Sequence, residues 1–282
     1  WKTATYTGDV KNGMPDGEGS IVYENGISHK GSYSEGQFNG RGTMDYGSGS
    51  VFTGMFVNGI PTKGLQRFPD GMTYDGNFLN GEFHGLGELK WGGKYLYNGD
   101  FKHGNFEGEG VLEVGKITFA GDFRNNKAYY GTIRWPSGDM FTGYVQTGIV
   151  NIVPKVGAQQ DAAYTYSGWF DVNGKRSGYG YHVDKDGTKT EGQWLDGKLN
   201  NVGMITYTNG QIIKGKIDYK GAQVYGTANH QEHWYGAQLS YENVIGFLDN
   251  AAAKDCIAAT TEAEDFIIAG RKKYNDLMSA TQ

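Results

Sequence analysis

Aromatic rings alternate with small or polar residues around a glycine that recurs along the chain. Side chains alternate between the two faces of a strand, so the residues two before and two after this glycine share one face. The ten copies of the glycine are spaced by 22 to 25 residues, at Gly8, Gly31, Gly54, Gly76, Gly99, Gly121, Gly143, Gly168, Gly192 and Gly215. The rings before it include Tyr6, Phe52, Tyr74, Tyr97, Phe119, Phe141 and Tyr166. The rings after it include Tyr33, Phe56, Phe78, Phe101, Phe123, Phe170 and Trp194. The pattern predicts one strand at each glycine, with neighbouring rings lying over the glycine.

A second set of glycines predicts that the chain reverses five residues later in most copies. Glycine supplies the positive φ that a tight hairpin turn needs. These glycines include Gly13, Gly36, Gly59, Gly81, Gly104, Gly174 and Gly197. A second strand follows, and a step such as Asn25-Gly26 or Asp70-Gly71 returns the chain. Each period of about 23 residues is therefore predicted to be one β-hairpin.

The hairpins are expected to form one continuous array. A lone hairpin is marginally stable in water, so each unit needs its neighbours. Two strands per unit at about 4.8 Å each predict an array about 95 Å long. The period is weakest at residues 149–165, which begin I-V-N-I-V-P-K-V-G-A-Q-Q-D-A-A (149–163) and lack the usual G-x-G step. We expect the pairing to be interrupted there.

The repeated sequence resembles the MORN (membrane occupation and recognition nexus) repeat. The residues that carry the resemblance are the Y-x-G-x-F-x-x-G-x-x-x-G-x-G cores at 6–19, 74–87 and 97–110, and Y-S-G-W-F-D-V-N-G-K-R-S-G-Y-G at 166–180. The resemblance extends over about residues 4–227. It implies a mainly β fold: an elongated, single-layer antiparallel array of about ten hairpins, covering residues 1–227.

The sequence after residue 227 leaves the period. Residues 228–239 are predicted to be a connector and residues 240–282 a helical tail, whose second helix starts at Thr261 with a capping box to Glu264. The apolar stripe of this helix predicts contacts by Phe266, Ile267, Tyr274, Leu277 and Met278. Two placements are open: the helix caps the edge of the last hairpin, which is favoured, or it lies across the ring-lined face of its own or a partner's array.

Composition excludes several functions. The net charge of −5 argues against nucleic-acid binding and weakens an interaction with anionic lipid. The single cysteine, Cys256, excludes an intrachain disulfide and indicates a reducing, cytoplasmic compartment. No run approaches the roughly 18 apolar residues of a membrane span. The chain begins with Trp1, so we expect residues to precede it.

No constellation of residues predicts catalysis. His230 and His233 stand near Glu232 without the further ligands of a zinc site, and Cys256 lies in an alanine-rich segment typical of packing. No phosphate-binding loop or nucleophile motif is present, and the many G-x-G steps belong to turns. We therefore expect no enzyme, no cofactor, no metal and no catalytic residue.

The sequence predicts a protein-interaction scaffold. A ring-lined face without a covering layer would be a long apolar groove that fits a partner segment. The candidate partner-binding residues are Tyr6, Tyr33, Phe52, Phe56, Tyr74, Phe78, Tyr97, Phe101, Phe119, Phe123, Tyr166, Phe170 and Trp194. The resemblance implies protein partners in a cytoskeletal, ciliary or membrane-associated assembly. The alternatives are a phospholipid-binding membrane tether, with weak lipid contact, and a regulatory arm detached from an enzyme. The sequence selects no oligomeric state.

Overall fold

The computed structural model describes residues 3–148, 151–217, 224–230, 233–240, 243–247 and 253–280. They form two compact units, residues 1–128 and 129–282, which are described separately. The first unit contains β1 (Ala4–Lys11), β2 (Met14–Tyr23), β3 (Ser28–Ser34), β4 (Gln37–Asp45), β5 (Val51–Val57), β6 (Ile60–Arg67), β7 (Thr73–Leu79), β8 (Glu82–Trp91), β9 (Tyr95–Lys102), β10 (Asn105–Val114) and β11 (Ile117–Arg124). Strand β12 (Lys127–Arg134) starts at the boundary. The second unit continues with β13 (Met140–Gly148), β14 (Asn151–Gln160), β15 (Tyr164–Phe170), β16 (Arg176–Asp184), β17 (Lys189–Leu195), β18 (Lys198–Thr206), β19 (Ile212–Ile217), β20 (Val224–His230), β21 (His233–Ser240), β22 (Asn243–Phe247) and α1 (Ala253–Ser279).

Each strand pairs antiparallel with the next strand along the chain, from β1 to β11 in the first unit. The same order runs from β12 to β22 in the second unit. The predicted open sheet of antiparallel hairpins is therefore confirmed. Each of the ten recurring glycines lies in the first strand of a hairpin, as the period predicted.

A row of paired glycines crosses the sheet. Gly76 of β7 faces Gly87 of β8, and Gly87 faces Gly99 of β9. The same glycine-to-glycine pairing joins every neighbouring pair from β1 to β11 and from β12 to β20. We call these the row glycines. They leave room for rings: a Cβ added to Gly87 would lie 2.5 Å from Cε2 of Tyr74.

The turns at the ends of the first strands have the backbone that the sequence predicted. After β1, β3, β5, β7, β9, β11 and β17 both central residues have positive φ, as in Asn12 (52°) and Gly13 (80°), which is the type I′ pattern of tight hairpins. The turn after β15 has positive φ at Gly174 (77°). Asn126, which stands in the place of the turn glycine, takes a φ of 65°. Asparagine tolerates this left-handed conformation better than other non-glycine residues, so the turn is kept.

The rings bury one another across the row glycines. Phe52 and Phe56 lie on the same strand, yet their ring centroids are only 5.1 Å apart. Their Cα atoms are four residues apart, which is about 13 Å along a straight strand. The rings can lean toward each other because Gly54 between them has no side chain: a Cβ there would lie 2.6 Å from Cζ of Phe52. Equivalent pairs at 5.0 to 5.3 Å recur as Tyr74–Phe78, Tyr97–Phe101, Phe119–Phe123 and Tyr166–Phe170.

A tyrosine hydroxyl hydrogen-bonds a backbone carbonyl where the register of the strand pair shifts. In the β7–β8 pair the register shifts between Gly76 and Phe78, and the Tyr74 hydroxyl donates to the carbonyl of Asn77 at 2.8 Å. A bulge leaves backbone groups without ladder partners, so this bond satisfies a carbonyl that the ladder misses. The same bond recurs from Tyr6 to Asp9, from Tyr97 to Asp100 and from Tyr166 to Trp169. Where Phe52 replaces the tyrosine, the Thr62 hydroxyl donates to Met55 instead.

His29 occupies one of these tyrosine positions and makes the first unit sensitive to pH. Its ring is 1% exposed and stacks on Phe38, and its Nδ1 lies 3.0 Å from the Tyr33 hydroxyl. Its Nε2 has no hydrogen-bond partner among the described residues. Burial lowers the pKa of His29 below its ordinary value of 6.5. The folded chain therefore holds this ring neutral.

Lowering the pH is expected to destabilise the chain through His29. Between its folded pKa and about 6.5 the unfolded state binds the proton more readily, so stability falls as pH drops through that window. Replacing His29→Tyr should remove this share of the loss and restore the repeated hydroxyl. Urea unfolding at pH 7.5 and 5.5 measures the effect. Other groups, including His182, titrate in both proteins, so only the difference between the two losses reports on His29. An equal drop in the free energy of unfolding for wild type and variant would contradict the prediction.

Three predictions in the second unit are wrong. The pairing is not interrupted at residues 149–165, because β14 pairs with both β13 and β15 and Gly157 lies in the glycine row; residues 149–150 lie outside the described ones. The predicted connector, 228–239, instead contributes to strands β20 and β21, with Ala237 opposite Gly226 at the row position. Residues 243–247 form a strand, not a helix.

Helix α1 also begins earlier than predicted. It starts at Ala253, eight residues before Thr261, so the predicted capping box lies inside the helix. Glu264 instead pairs with Lys214 at 2.6 Å. The predicted apolar stripe is present, with Ala263 and Ile267 buried.

Candidate interaction surface

The predicted ring positions are mostly inside the array. Tyr6 and Phe78 are half-buried. The other eleven are buried: Tyr33, Phe52, Phe56, Tyr74, Tyr97, Phe101, Phe119, Phe123, Tyr166, Phe170 and Trp194. The buried rings pack against one another, and a partner could contact them only if the array opened. Partner binding at these rings stays a prediction.

A further set of rings, which the sequence pattern did not predict, lies in the same core. Phe83 stacks on Tyr74 with centroids 3.8 Å apart, and Phe106 stacks on Tyr97 at the same distance. Phe38 holds the equivalent place against His29. These residues stand two after the turn glycine, a position that an alignment of the repeats would have shown. They complete the cover that makes the ring face a core.

The opposite face of the sheet, which we call the outer face, carries the residues directly before and after each row glycine. In the first unit these residues are mainly polar or charged, as in Lys30, Arg41, Thr53, Asp75 and Glu88. In the second unit many are large and apolar: Tyr144, Val156, Trp169, Tyr179, Val202 and Met204. The change in character coincides with the place where α1 packs.

Helix α1 lies on the outer face of the second unit, mainly against strands β16 to β21. Tyr274 meets the ring of Trp169 at 5.7 Å, and burial raises the pKa of Tyr274. Gly270 lies against Tyr179, where a Cβ would collide with the ring. At the C-terminal end the carbonyl of Leu277 accepts from the Tyr144 hydroxyl at 3.4 Å. The helix therefore packs in cis, on neither the ring-lined face nor the edge alone.

The remaining predicted tail contacts face the sheet as well. Phe266 lines a cleft of about 400 Å³ with Trp169 and Tyr179, and Ile267 is 5% exposed. Leu277 and Met278 are half-buried.

A buried carboxylate anchors the middle of the helix. Glu191, only 3% exposed, accepts from Nη2 of Arg271 at 2.6 Å and from Nε of Arg271 at 3.1 Å. The Tyr179 hydroxyl donates to Glu191 at 2.5 Å. Hydrogen bonding to Glu191 raises the pKa of Arg271, and burial beside the carboxylate raises that of Tyr179. The bidentate geometry fixes both the position and the rotation of the helix.

Two lysines that flank a row glycine hold the acidic part of the helix. Lys214 and Lys216, on either side of Gly215, pair with Glu264 at 2.6 Å and with Glu262 at 2.9 Å. The outer face can thus take an amphipathic helix by combining apolar contacts with ion pairs at these flanking positions.

The outer face of the first unit contains an open cleft of about 630 Å³. Its floor includes Gly31, Gly42 and Gly54, and its charged lining residues are Lys30, Arg41, Lys63 and Glu18. No acidic side chain in the described part of the chain lies within ion-pair distance of the three cations.

Comparison with known proteins agrees with this geometry. The family model of the MORN repeat matches seven segments that together make up about half of the chain: residues 6–28, 29–51, 74–93, 97–113, 119–140, 172–189 and 191–212. The chain is a MORN-repeat protein. The hairpin of β5 and β6, which the family model does not match, still pairs Gly54 with Gly64 and so belongs to the same array.

The other comparisons add little to the MORN assignment. No curated protein matches the chain. Among solved structures, the TCP10 domain of Danio rerio CPAP aligns over 70% of this chain and 87% of its own, with 11% identity and a TM-score of 0.32. A similarity of this size supports no conclusion about function.

The described residues of the MORN-repeat protein hold no group of three or more His, Cys, Asp or Glu residues placed to bind a metal ion. His230 and His233 pair across the β20–β21 turn, but their side chains lie outside the described part, as does that of Cys256. No helix in the described ranges combines the length and hydropathy of a membrane span.

Proposed function

We propose that this MORN-repeat protein is a non-catalytic scaffold that binds segments of partner proteins on its outer face, within a cytoplasmic assembly of cytoskeletal or ciliary type. The observation that carries the proposal is the seating of α1. Within one chain, the outer face of the second unit already accommodates an amphipathic helix through aromatic contacts, a bidentate ion pair and two lysine–glutamate pairs. The rings of the opposite face, by contrast, are mostly buried against one another.

No described element covers the outer face of the first unit, so this face is accessible to a partner protein. Its apolar residues there include Leu86, 64% exposed, and Met55, 39% exposed. Aliphatic groups surrounded by charged ones are typical of the partly polar surfaces that non-obligate partners use. The phospholipid tether is the competing function, because the three cations of the cleft could also meet anionic headgroups.

A photo-crosslinking amino acid at Leu86 in the full chain tests the scaffold function in cells. We expect discrete protein adducts at Leu86 and none at Lys116, an exposed position in the turn between β10 and β11. Mass spectrometry of the adducts then identifies the partner and its contact. Adducts with lipid only, or the same adducts from both positions, would refute a protein-binding outer face.

A further inference from the structure

The cleft in the first unit repeats the chemistry by which the second unit holds α1. Lys214, which receives Glu264, stands directly before the row glycine Gly215. Lys30 stands directly before Gly31, Arg41 before Gly42, and Lys63 before Gly64. Because every row glycine is paired with its neighbour, these positions face the same side of the sheet. The cleft therefore presents three cations at the position that already binds a helix carboxylate.

One acidic residue, Glu18, also lines the cleft, but it is not ion-paired with these cations. Glu18 accepts a hydrogen bond from the Ser32 hydroxyl at 2.6 Å and forms no ion pair among the described residues. The Thr43 and Thr53 hydroxyls bond each other, 3.2 Å apart, between the cations. Three exposed cations against one carboxylate leave the cleft with an excess of positive charge, on a chain of net charge −5.

We propose that this cleft binds an acidic amphipathic helix of a partner protein, its carboxylates paired with Lys30, Arg41 and Lys63 and its apolar stripe against Met55 and the glycine floor. The inference rests on the proposed function and specifies its partner. A helix fits because the floor of the cleft between the flanking side chains is the backbone of Gly31, Gly42 and Gly54, which a partner can approach closely. A carboxylate-bearing face fits because Glu262 and Glu264 play that part in the second unit.

The binding should be electrostatic in character. The side chains are exposed, so each ion pair contributes modestly, and three together give about a tenfold preference at low salt. The preference should shrink as salt rises, since exposed charges are screened over about 8–10 Å at physiological ionic strength.

Three synthetic helical peptides test the inference on the full chain. They share one apolar stripe and differ only in carrying Glu, Gln or Lys at the flanking positions. Fluorescence anisotropy should show the Glu peptide binding about tenfold more tightly than the Gln peptide, and the Lys peptide not binding. The triple charge reversal Lys30→Glu, Arg41→Glu, Lys63→Glu should abolish the preference. The matched control, Lys102→Glu, Lys116→Glu, Lys127→Glu, changes the net charge equally and should keep it.

Other outcomes overturn the inference. Equal affinity for the Glu and Gln peptides would show that the cleft does not recognise carboxylates. An equal loss of the preference for the Glu peptide in both triple variants would show the same. Binding of phosphatidylserine vesicles that depends on the three cleft cations, without binding of the Glu peptide, would assign the cleft to a membrane. Partner adducts from a photo-crosslinker at Leu86 but none at Met55 would leave the scaffold function standing and reject this cleft as its site.

Discussion

Replacing Gly87→Ala is expected to destabilise the first unit by about 2–5 kcal/mol. The new Cβ would lie 2.5 Å from Cε2 and from the hydroxyl of Tyr74. Tyr74 is fully buried between Phe78, Phe83 and Phe101, so the ring has no free space in which to move.

The expected cost has three parts. Overpacking in a close-packed core costs about 1–3 kcal/mol. Displacing the ring also breaks its hydrogen bond to Asn77, about 1 kcal/mol, and disturbs its aromatic contacts, about 0.5–1.5 kcal/mol. Alanine gains back about 0.4–1 kcal/mol by restricting the unfolded chain. Gly87 does not have a positive φ, so the effect measures space rather than backbone strain.

Gly81→Asn is the matched control in the same hairpin. Gly81 has a φ of 86°, and a Cβ there would meet no atom within 4 Å. Asparagine already occupies the equivalent turn position at Asn126. We expect a loss below about 1 kcal/mol. Urea unfolding with hydrogen exchange at residues 73–102 measures both variants; equal losses would show that the row glycines serve only backbone flexibility.

The repeat and the core could be predicted from sequence because both depend on local, periodic signals. Glycine and ring positions recur in every unit, and strand alternation places them on one face. The expectation that a single-layer sheet leaves its rings exposed failed for a physical reason. Gly76 leaves room for the rings of Tyr74 and Phe78 to lean over it, and their centroids lie 5.0 Å apart.

The end of the array was harder to read. Residues 243–247 are a short apolar run, which fits a strand or a helix equally well by periodicity. The strand at Ala237 escaped notice because alanine, not glycine, stands at the row position. Tertiary pairing with the preceding strand decided both segments, and a single sequence does not display that pairing.

The outer face was overlooked although the sequence contains its signal. The residues flanking the row glycines differ from unit to unit, so they carry no period. Their character nonetheless changes from Lys30 and Thr53 in the first unit to Trp169 and Tyr179 in the second. Comparing these flanking positions between units, rather than searching for what they share, would have placed α1 on the second unit.

Replacing Arg271→Met is expected to loosen α1 from the second unit by about 2–3 kcal/mol. Among the described residues, the change leaves the Glu191 carboxylate, 3% exposed, with only the Tyr179 hydroxyl as its side-chain hydrogen-bond partner. Breaking a fully buried pair costs about 3–5 kcal/mol, but Arg271 is 54% exposed, so solvent screening reduces the loss. Hydrogen exchange of residues 253–279 reports the free energy of helix release. Lys272→Met, which removes the exposed pair with Asp276, should cost only about 0.3–0.5 kcal/mol.

The double variant Arg271→Met, Glu191→Gln should recover at least half of the loss. The neutral amide removes the uncompensated charge, while its carbonyl oxygen can still accept from Tyr179, and replacing both members of a buried pair is often close to neutral. This non-additivity separates a charge effect from lost packing by the arginine stem, which Glu191→Gln could not repair. If the double variant instead releases α1 as easily as Arg271→Met, the helix is held by its apolar stripe along Ala263 and Ile267, and the ion pair only orients it.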